Sequence, residues 1–279
     1  MLYEINVKVP KEKEEEIEEV LYQLLSQGWE TAYQGDRVVF RFYLKEDSPE
    51  LEEIEKALAK YPFVELEYKV FEEKNWAELW KANFKPLKVG KHLWVIPPWE
   101  EGFSTQGEVV ILIEPGQAFG TGHHPTTQMM LEYIEHFALT KGQNSPYKVL
   151  DLGCGTGILA IACAKLLPKA KIWAVDIDEE ALKACLENLQ LNQVEGRIII
   201  SKEVPAEKFD LILANIGYRE LKNLSQKMVE ISEEGKTNIF LTGILTEDAE
   251  EMVRIYEALG YRLVEKKFLK EWAFLWIEF

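Results

Sequence analysis

Residues 2–9, LYEINVKV, alternate apolar and polar side chains, a period of two that predicts a strand. Over 12–27 the period lengthens: Ile17, Val20, Leu21, Leu24 and Leu25 recur at i, i+3, i+4, i+7 and i+8, which predicts an amphipathic helix closed by Gly28. WETAY, a Gly35-Asp36 turn and RVVFRFYL predict a hairpin. A second helix opens with Ser48 as N-cap and Pro49 at its first position, turning Leu51, Ile54 and Leu58 inward, and FVELEYKVF supplies a last strand. The order β-α-β-β-α-β predicts a ferredoxin-like α+β domain over residues 1–72.

The stretch NWAELWKANFKPLKVGKHLWVIPPWE is dense in Trp and Lys and is broken by Pro86, Pro97 and Pro98. It predicts a linker over 73–85, with a helix over 74–82, and then strands of a second domain over 86–279. Its tryptophans are expected to pack between domains rather than to form a cation-binding cage. From residue 147 strand and helix alternate: YKVLDL, TGILAIACAKLL, KIWAVDI, EEALKACLENLQL and RIIIS, then FDLILANI, a helix over 218–230, TNIFLTGI and a helix over 246–259. That pattern predicts a parallel α/β sheet. The last two strands, RLVEKKFL and EWAFLWIEF, are almost contiguous and must therefore be antiparallel. A Rossmann-like seven-stranded sheet with a C-terminal antiparallel hairpin is the arrangement expected of the class I methyltransferases.

Composition narrows the function. With 47% apolar and 29% charged residues the chain is not a disordered tail. A net charge of −16, of which residues 1–74 carry −9, disfavours direct nucleic-acid binding and attachment to anionic membranes. The acidic run KEKEEEIEE reads first as a solvated helix face, with a docking surface for a basic partner as the alternative. Cys154, Cys163 and Cys185 show no C-x-x-C pairing, so reduced thiols and a cytoplasmic protein are expected. The N-terminus has no apolar leader, and no run approaches the ~18 apolar residues of a membrane span. No exposed apolar repeat asks for a second subunit, so a monomer is expected.

Candidate chemistry gathers at strand ends. DLGCGTG places Asp151 at a strand tip, followed by Gly153, Gly155 and Gly157 before an apolar helix. The spacing G-x-G-x-G differs from the G-x-G-x-x-G of dinucleotide loops, and Asp151 would repel a pyrophosphate. A zwitterionic ligand fits better, and S-adenosylmethionine offers an ammonium to the acid and a sulfonium in place of phosphates. Asp176, at the tip of the next strand in WAVDID, is the candidate for the ribose hydroxyls, with Asp178 the alternative acid that caps the following helix. Asn215 ends FDLILANI at the switch point of the sheet, where its amide oxygen could accept from an amine and aim the nitrogen lone pair at a methyl group. The glycine-rich loop EPGQAFGTGHHPTT reads as a mobile segment that can fold over a ligand. Its adjacent His123 and His124 do not suit one metal ion, and no metal is expected. His124 or Thr127 could hold the cofactor or cap the helix QMMLEYIEHF.

Taken together, NWAELWKANFKPLKVG, LWVIPPWE, EPGQAFGTGHHPTT, DLGCGTGILAIA, AVDIDEEAL and LANI resemble the PrmA family, bacterial methyltransferases of a large-subunit ribosomal protein, over about residues 74–260. The resemblance implies methyl transfer from S-adenosylmethionine to lysine side-chain amines and an N-terminal α-amine, with the front domain holding a basic ribosomal protein. It places cofactor contacts on Thr127, Gly153, Asp176 and Asn215. Two positions depart from the family: His123 stands where Thr is usual, and Gly217-Tyr218 follows LANI where Leu-Ala is common. The full expectation is that Asp151, Gly153, Gly155, Asp176 and Asn215 bind cofactor with Phe119 and Thr127, that Asn215 orients the amine, and that Phe119 and Thr121 close the site. The rivals are a nucleic-acid base N-methyltransferase, whose Asn is usually followed by Pro-Pro and an aromatic, and an inactive methyltransferase fold kept as a binding module.

Overall fold

The computed structural model describes residues 2–25, 29–45, 48–71, 84–100, 103, 107–116 and 118–279. The chain divides into two compact units, Met1–Asn83 and Phe84–Phe279. The helix expected over 74–82, with Trp76 and Trp80, and the expected helix stop at Gly28 lie outside the described residues.

In the first unit β1 (Leu2–Pro10), α1 (Glu14–Leu24), β2 (Glu30–Gln34), β3 (Arg37–Lys45), α2 (Pro49–Leu58) and β4 (Glu65–Phe71) follow in the expected order. The strands lie β2-β3-β1-β4 with every neighbour antiparallel, which is the ferredoxin-like arrangement. Period-two alternation sends Ile5, Val7 and Val9 of β1 and Phe40 and Phe42 of β3 to one face. There they meet the inward stripes of the helices, Ile17 and Leu21 of α1 and Ile54 and Leu58 of α2. Ser48 stands at the N-cap position of α2 but its side chain makes no capping bond; only its carbonyl accepts, from Leu51 N–H at 3.1 Å. The apolar pattern of α1 outruns the helix by one residue, since Leu25 is buried with an extended backbone.

The second unit begins with a small sheet of β5 (Leu87–Val89), β6 (Leu93–Ile96) and β7 (Val109–Leu112), then α3 (Pro125–Lys141). Next come β8 (Lys148–Leu152), α4 (Ile158–Leu166), β9 (Lys171–Val175), α5 (Glu179–Leu191), β10 (Ile198–Ser201), β11 (Leu211–Asn215), α6 (Tyr218–Ile231), β12 (Asn238–Leu245), α7 (Ala249–Glu257), β13 (Arg262–Leu269) and β14 (Trp272–Glu278). The seven-stranded sheet runs β10-β9-β8-β11-β12-β14-β13. It is parallel through β12, and β14 is antiparallel to both β12 and β13, as the tight connection required. Both faces are covered, so the central strands read as apolar runs rather than alternations. Val149, Leu211 and Leu213 face the core shared with α3, α4 and the small sheet, while Leu150, Ile212 and Ala214 face α6 and α7. Strand order reverses between β8 and β11, the switch point at which ligands bind in such sheets. Among the described residues no helix is long and apolar enough to cross a membrane.

Candidate active site

Parallel register sets Leu152 of β8 beside Val175 of β9 on one side and Ala214 of β11 on the other. The residues that continue those strands, Gly153, Asp176 and Asn215, therefore lie on three adjacent tips, about 4.8 Å from one strand to the next. Asp151, one pleat earlier, points toward α4 and is fully buried. Helix α4 has Gly157 at its N-cap and no capping side chain of its own. Asp151 Oδ2 supplies the cap from the strand, accepting from Ala160 N–H at 3.0 Å, where the helix dipole also favours a carboxylate. Asp151 Oδ1 has no hydrogen-bond partner among the described residues. Burial pushes this carboxyl up to about 7; the Ala160 amide works against that shift and the charge of Asp176 adds to it.

Asp176 is turned into the glycine loop. Its Oδ2 accepts from Gly155 N–H at 3.0 Å and its Oδ1 from Asp178 N–H at 3.1 Å, while Asp178 caps α5 by accepting from Glu180 N–H at 3.0 Å. Asp178 thus takes the capping role, and Asp176 accepts from the glycine loop instead. Ile177 between them is 90% exposed, an apolar side chain standing open beside the carboxylate.

Asn215 Nδ2 donates to Thr127 Oγ1 at 3.4 Å, which leaves Oδ1 without a protein partner among the described residues. Thr127 is fully buried in the first turn of α3, behind Asn215. The backbone after Asn215 is held by β12: Gly243 has φ +87° at an irregularity of the β12–β14 ladder, and a Cβ there would collide with the Ile216 carbonyl.

The glycine-rich segment, expected to be mobile, is hydrogen-bonded to the glycine loop. Thr156 N–H donates to Phe119 O at 3.0 Å and Thr156 Oγ1 to Gly120 O at 2.7 Å. A Cβ at Gly155 would run into that Phe119 carbonyl, and one at Gly153 into Ile216, so these glycines admit other parts of the protein. Phe119 keeps its ring 52% exposed above this attachment, and Thr121 is half-buried. His124, not Thr127, caps α3: its Nδ1 accepts from Thr126 N–H at 3.4 Å and lies 2.7 Å from Thr126 Oγ1, and its ring sits edge-on between Phe119 and Trp272. His123 is exposed, with Nδ1 3.3 Å from Thr121 O. No metal-binding cluster occurs among the described residues.

Two residues escaped the sequence reading. Asn188 lies in the buried stripe of α5 with Cys185 and Leu189, and the buried Asn192 continues that stripe at the C-cap position just past the helix. Asn188 Nδ2 donates to Thr156 O at 3.1 Å and its Oδ1 accepts from Glu114 N–H at 2.8 Å; Asn192 Oδ1 accepts from Leu112 N–H at 2.9 Å. Polar side chains in an apolar stripe were the signal. Trp94, one of the tryptophans expected to pack between domains, makes its contacts within the second unit: its Nε1 donates to Glu108, its ring lies edge-on to Phe103, and Lys88 Nζ stands 5.6 Å from its ring centre. A cavity of about 430 Å³ lies elsewhere, between α3 and the β5–β6 turn. Its buried Glu135 is already satisfied by the Lys91 and His92 amides at 2.7 and 2.6 Å.

The three tips therefore present two neighbouring carboxylates, one with an unpartnered buried oxygen, beside an oriented amide. A diphosphate would add like charge to this end of the sheet, whereas an ammonium relieves it. The donor set fits a zwitterionic nucleoside such as S-adenosylmethionine.

A family model described as "Ribosomal protein L11 methyltransferase (PrmA)" matches residues 2–278. A relative from Geotalea uraniireducens (strain Rf4), named ribosomal protein L11 methyltransferase, is 36% identical over 84% of this chain and 80% of its own length. One of the same name from Caldicellulosiruptor bescii is 31% identical over 97% of this chain and 96% of its own. Among solved structures, the ribosomal protein L11 methylase from Lactobacillus delbrueckii subsp. bulgaricus superposes with a TM-score of 0.61 at 28% identity, over 70% of this chain and 98% of that one.

Proposed function

This chain belongs to the PrmA family of ribosomal protein L11 methyltransferases, and from that membership we propose that it methylates amines of L11, the lysine side chains and the N-terminal α-amine, at the tips of β8, β9 and β11. It is an S-adenosylmethionine-dependent enzyme. The observation that carries the assignment of the site is the buried Asp151 Oδ1, without a partner among the described residues, one pleat from Asn215, whose amide oxygen likewise has none among them.

Asp151 receives the ammonium of the cofactor, Asp176 the ribose hydroxyls, and Ile177 packs on the adenine face. Thr127 holds the Asn215 amide in one orientation, and Phe119 covers the donor. When bound, S-adenosylmethionine supplies a methyl group already activated by the sulfonium charge, so the protein has chiefly to align and desolvate the nucleophile. A lysine ε-amine, with an ordinary pKa of about 10.4, must arrive neutral. Asn215 Oδ1 and the Ile216 carbonyl would accept the two N–H bonds of the neutral amine, which points its lone pair at the methyl group. No general base is required, since the departing proton can pass to water. The first unit, with its net negative charge, takes the basic substrate protein, and the enzyme acts as a cytoplasmic monomer without gripping RNA.

Asn215→Ala tests the central role. Turnover on L11 falls by about a hundredfold, the scale of losing one preorganised or positioning group, while S-adenosylmethionine affinity changes much less. Unchanged turnover removes Asn215 from the mechanism. Mass spectrometry of L11 after reaction, with RNA offered beside it, identifies the methylated groups; label on RNA or on atoms other than amines overturns the substrate assignment.

A further inference from the structure

Residues 118–122 touch the glycine loop through Thr156 alone among its hydroxyl-bearing residues, and Thr156 is 1% exposed. All three polar groups of that residue are used. Its N–H donates to Phe119 O, its hydroxyl to Gly120 O, and its carbonyl accepts from Asn188. Through Asn188 Oδ1 the same residue is linked to Glu114 N–H, where the glycine-rich segment begins. Its neighbour Gly155 donates to Asp176, the acid at the ribose position. Gly120 has φ +112°, and a Cβ there would stand 2.7 Å from Thr156 Oγ1, so the segment is moulded to this hydroxyl.

We propose that Thr156 is a positioning residue that makes the cofactor pocket conditional on the seating of residues 118–122 over the glycine loop. This rests on the assignment of S-adenosylmethionine to that loop. With the hydroxyl in place, Phe119 is carried to its covering position and Gly155 is pressed toward Asp176. Without it, Gly120 O is left buried and unpaired, and the seated state loses population. Because seating and cofactor binding then share one equilibrium, cofactor must also strengthen seating.

The test compares wild type, Thr156→Val and Thr156→Ser by calorimetry with S-adenosylmethionine and by steady-state methylation of L11. Thr156→Val raises both the Kd and the KM for S-adenosylmethionine about tenfold, the scale of one buried hydrogen bond, with kcat at saturating cofactor within about twofold. Thr156→Ser, which keeps the hydroxyl, returns both to within about twofold of wild type. A merely structural role would lower kcat through loss of folded enzyme and leave KM in place, and that result overturns the proposal. So does an unchanged KM in Thr156→Val, or a failure of Ser to restore it. If Thr156→Val does not fold, hydrogen exchange on the wild type decides. S-adenosylhomocysteine slows the amides of residues 120–122 if the proposal holds, and no slowing overturns it. A wild type that binds no S-adenosylmethionine refutes instead the assignment of the loop.

Discussion

One oxygen of Asp151 caps α4 and the other has no partner among the described residues, so its ionisation is coupled to whatever lies beside it. Its pKa is raised from 3.8 to about 7, chiefly by burial. A raised acid contributes stability that is fully present below pH ~4 and is lost as pH climbs through ~7, because between those values the folded protein holds a proton that the unfolded chain has released. An ammonium at Oδ1, the position proposed for that of the cofactor, would favour the ionised form and expel that proton. Calorimetry at pH 6.5 in buffers of different ionisation enthalpy is expected to show up to about one proton released per cofactor bound, and Asp151→Asn to abolish the release. A buffer-independent enthalpy in the wild type would rule out this linkage. The identity of Asp151 as a candidate was legible in the sequence from its place before the glycines. Its second duty as the cap of α4 was not, because the bond joins residues nine positions apart across a strand-to-helix turn. Likewise Gly153 and Gly155 were legible as sites of close approach, but only the folded chain reveals that Ile216 and Phe119 are what approach them.

Helix α3 starts where His124 accepts from Thr126, and that start places Thr127 against Asn215. The cap requires an unprotonated Nδ1, and an imidazolium would also oppose the positive end of the helix dipole. Burial lowers the pKa of His124, Lys270 in the β13–β14 turn lowers it further, and Glu271 in the same turn opposes the shift. Since the unfolded chain takes up the proton first, this contribution is intact above pH ~6.5 and is lost as pH falls below it. His124→Ala is expected to cost about 0.5–2 kcal/mol of unfolding free energy at neutral pH, with the difference from wild type shrinking toward pH 5. Denaturant titrations at both pH values measure it; equal differences would show that packing against Phe119 and Trp272, not the cap, sets the effect. Periodicity predicted nearly every element here. It could not show what the glycine-rich segment bonds to, because glycine content reports backbone freedom in an isolated chain and is silent about Thr156 and Asn188, which hold that segment in the fold.

At the scale of the whole molecule the net charge of −16 is the property that bears on encounter with the basic substrate proposed for it. If opposite fields speed that encounter, kcat/KM for L11 falls as salt rises from about 0.05 to 0.5 M while kcat holds, because screening acts on association between separated charges. A kcat/KM indifferent to salt would assign recognition to apolar contact instead. The sequence by itself determined the two folds, the antiparallel end of the sheet and the acids and amide at its strand tips. Those follow from local periods of two and 3.6, from connection length and from residue type, all of which act between near neighbours. Only the tertiary structure decided which acid caps α5 and which accepts from the glycine loop, that Thr127 stands behind Asn215, and that Thr156 and Asn188 bind the front segment to the glycine loop. Such pairings join residues tens of positions apart, and they depend on strand register and helix docking, which no local pattern encodes.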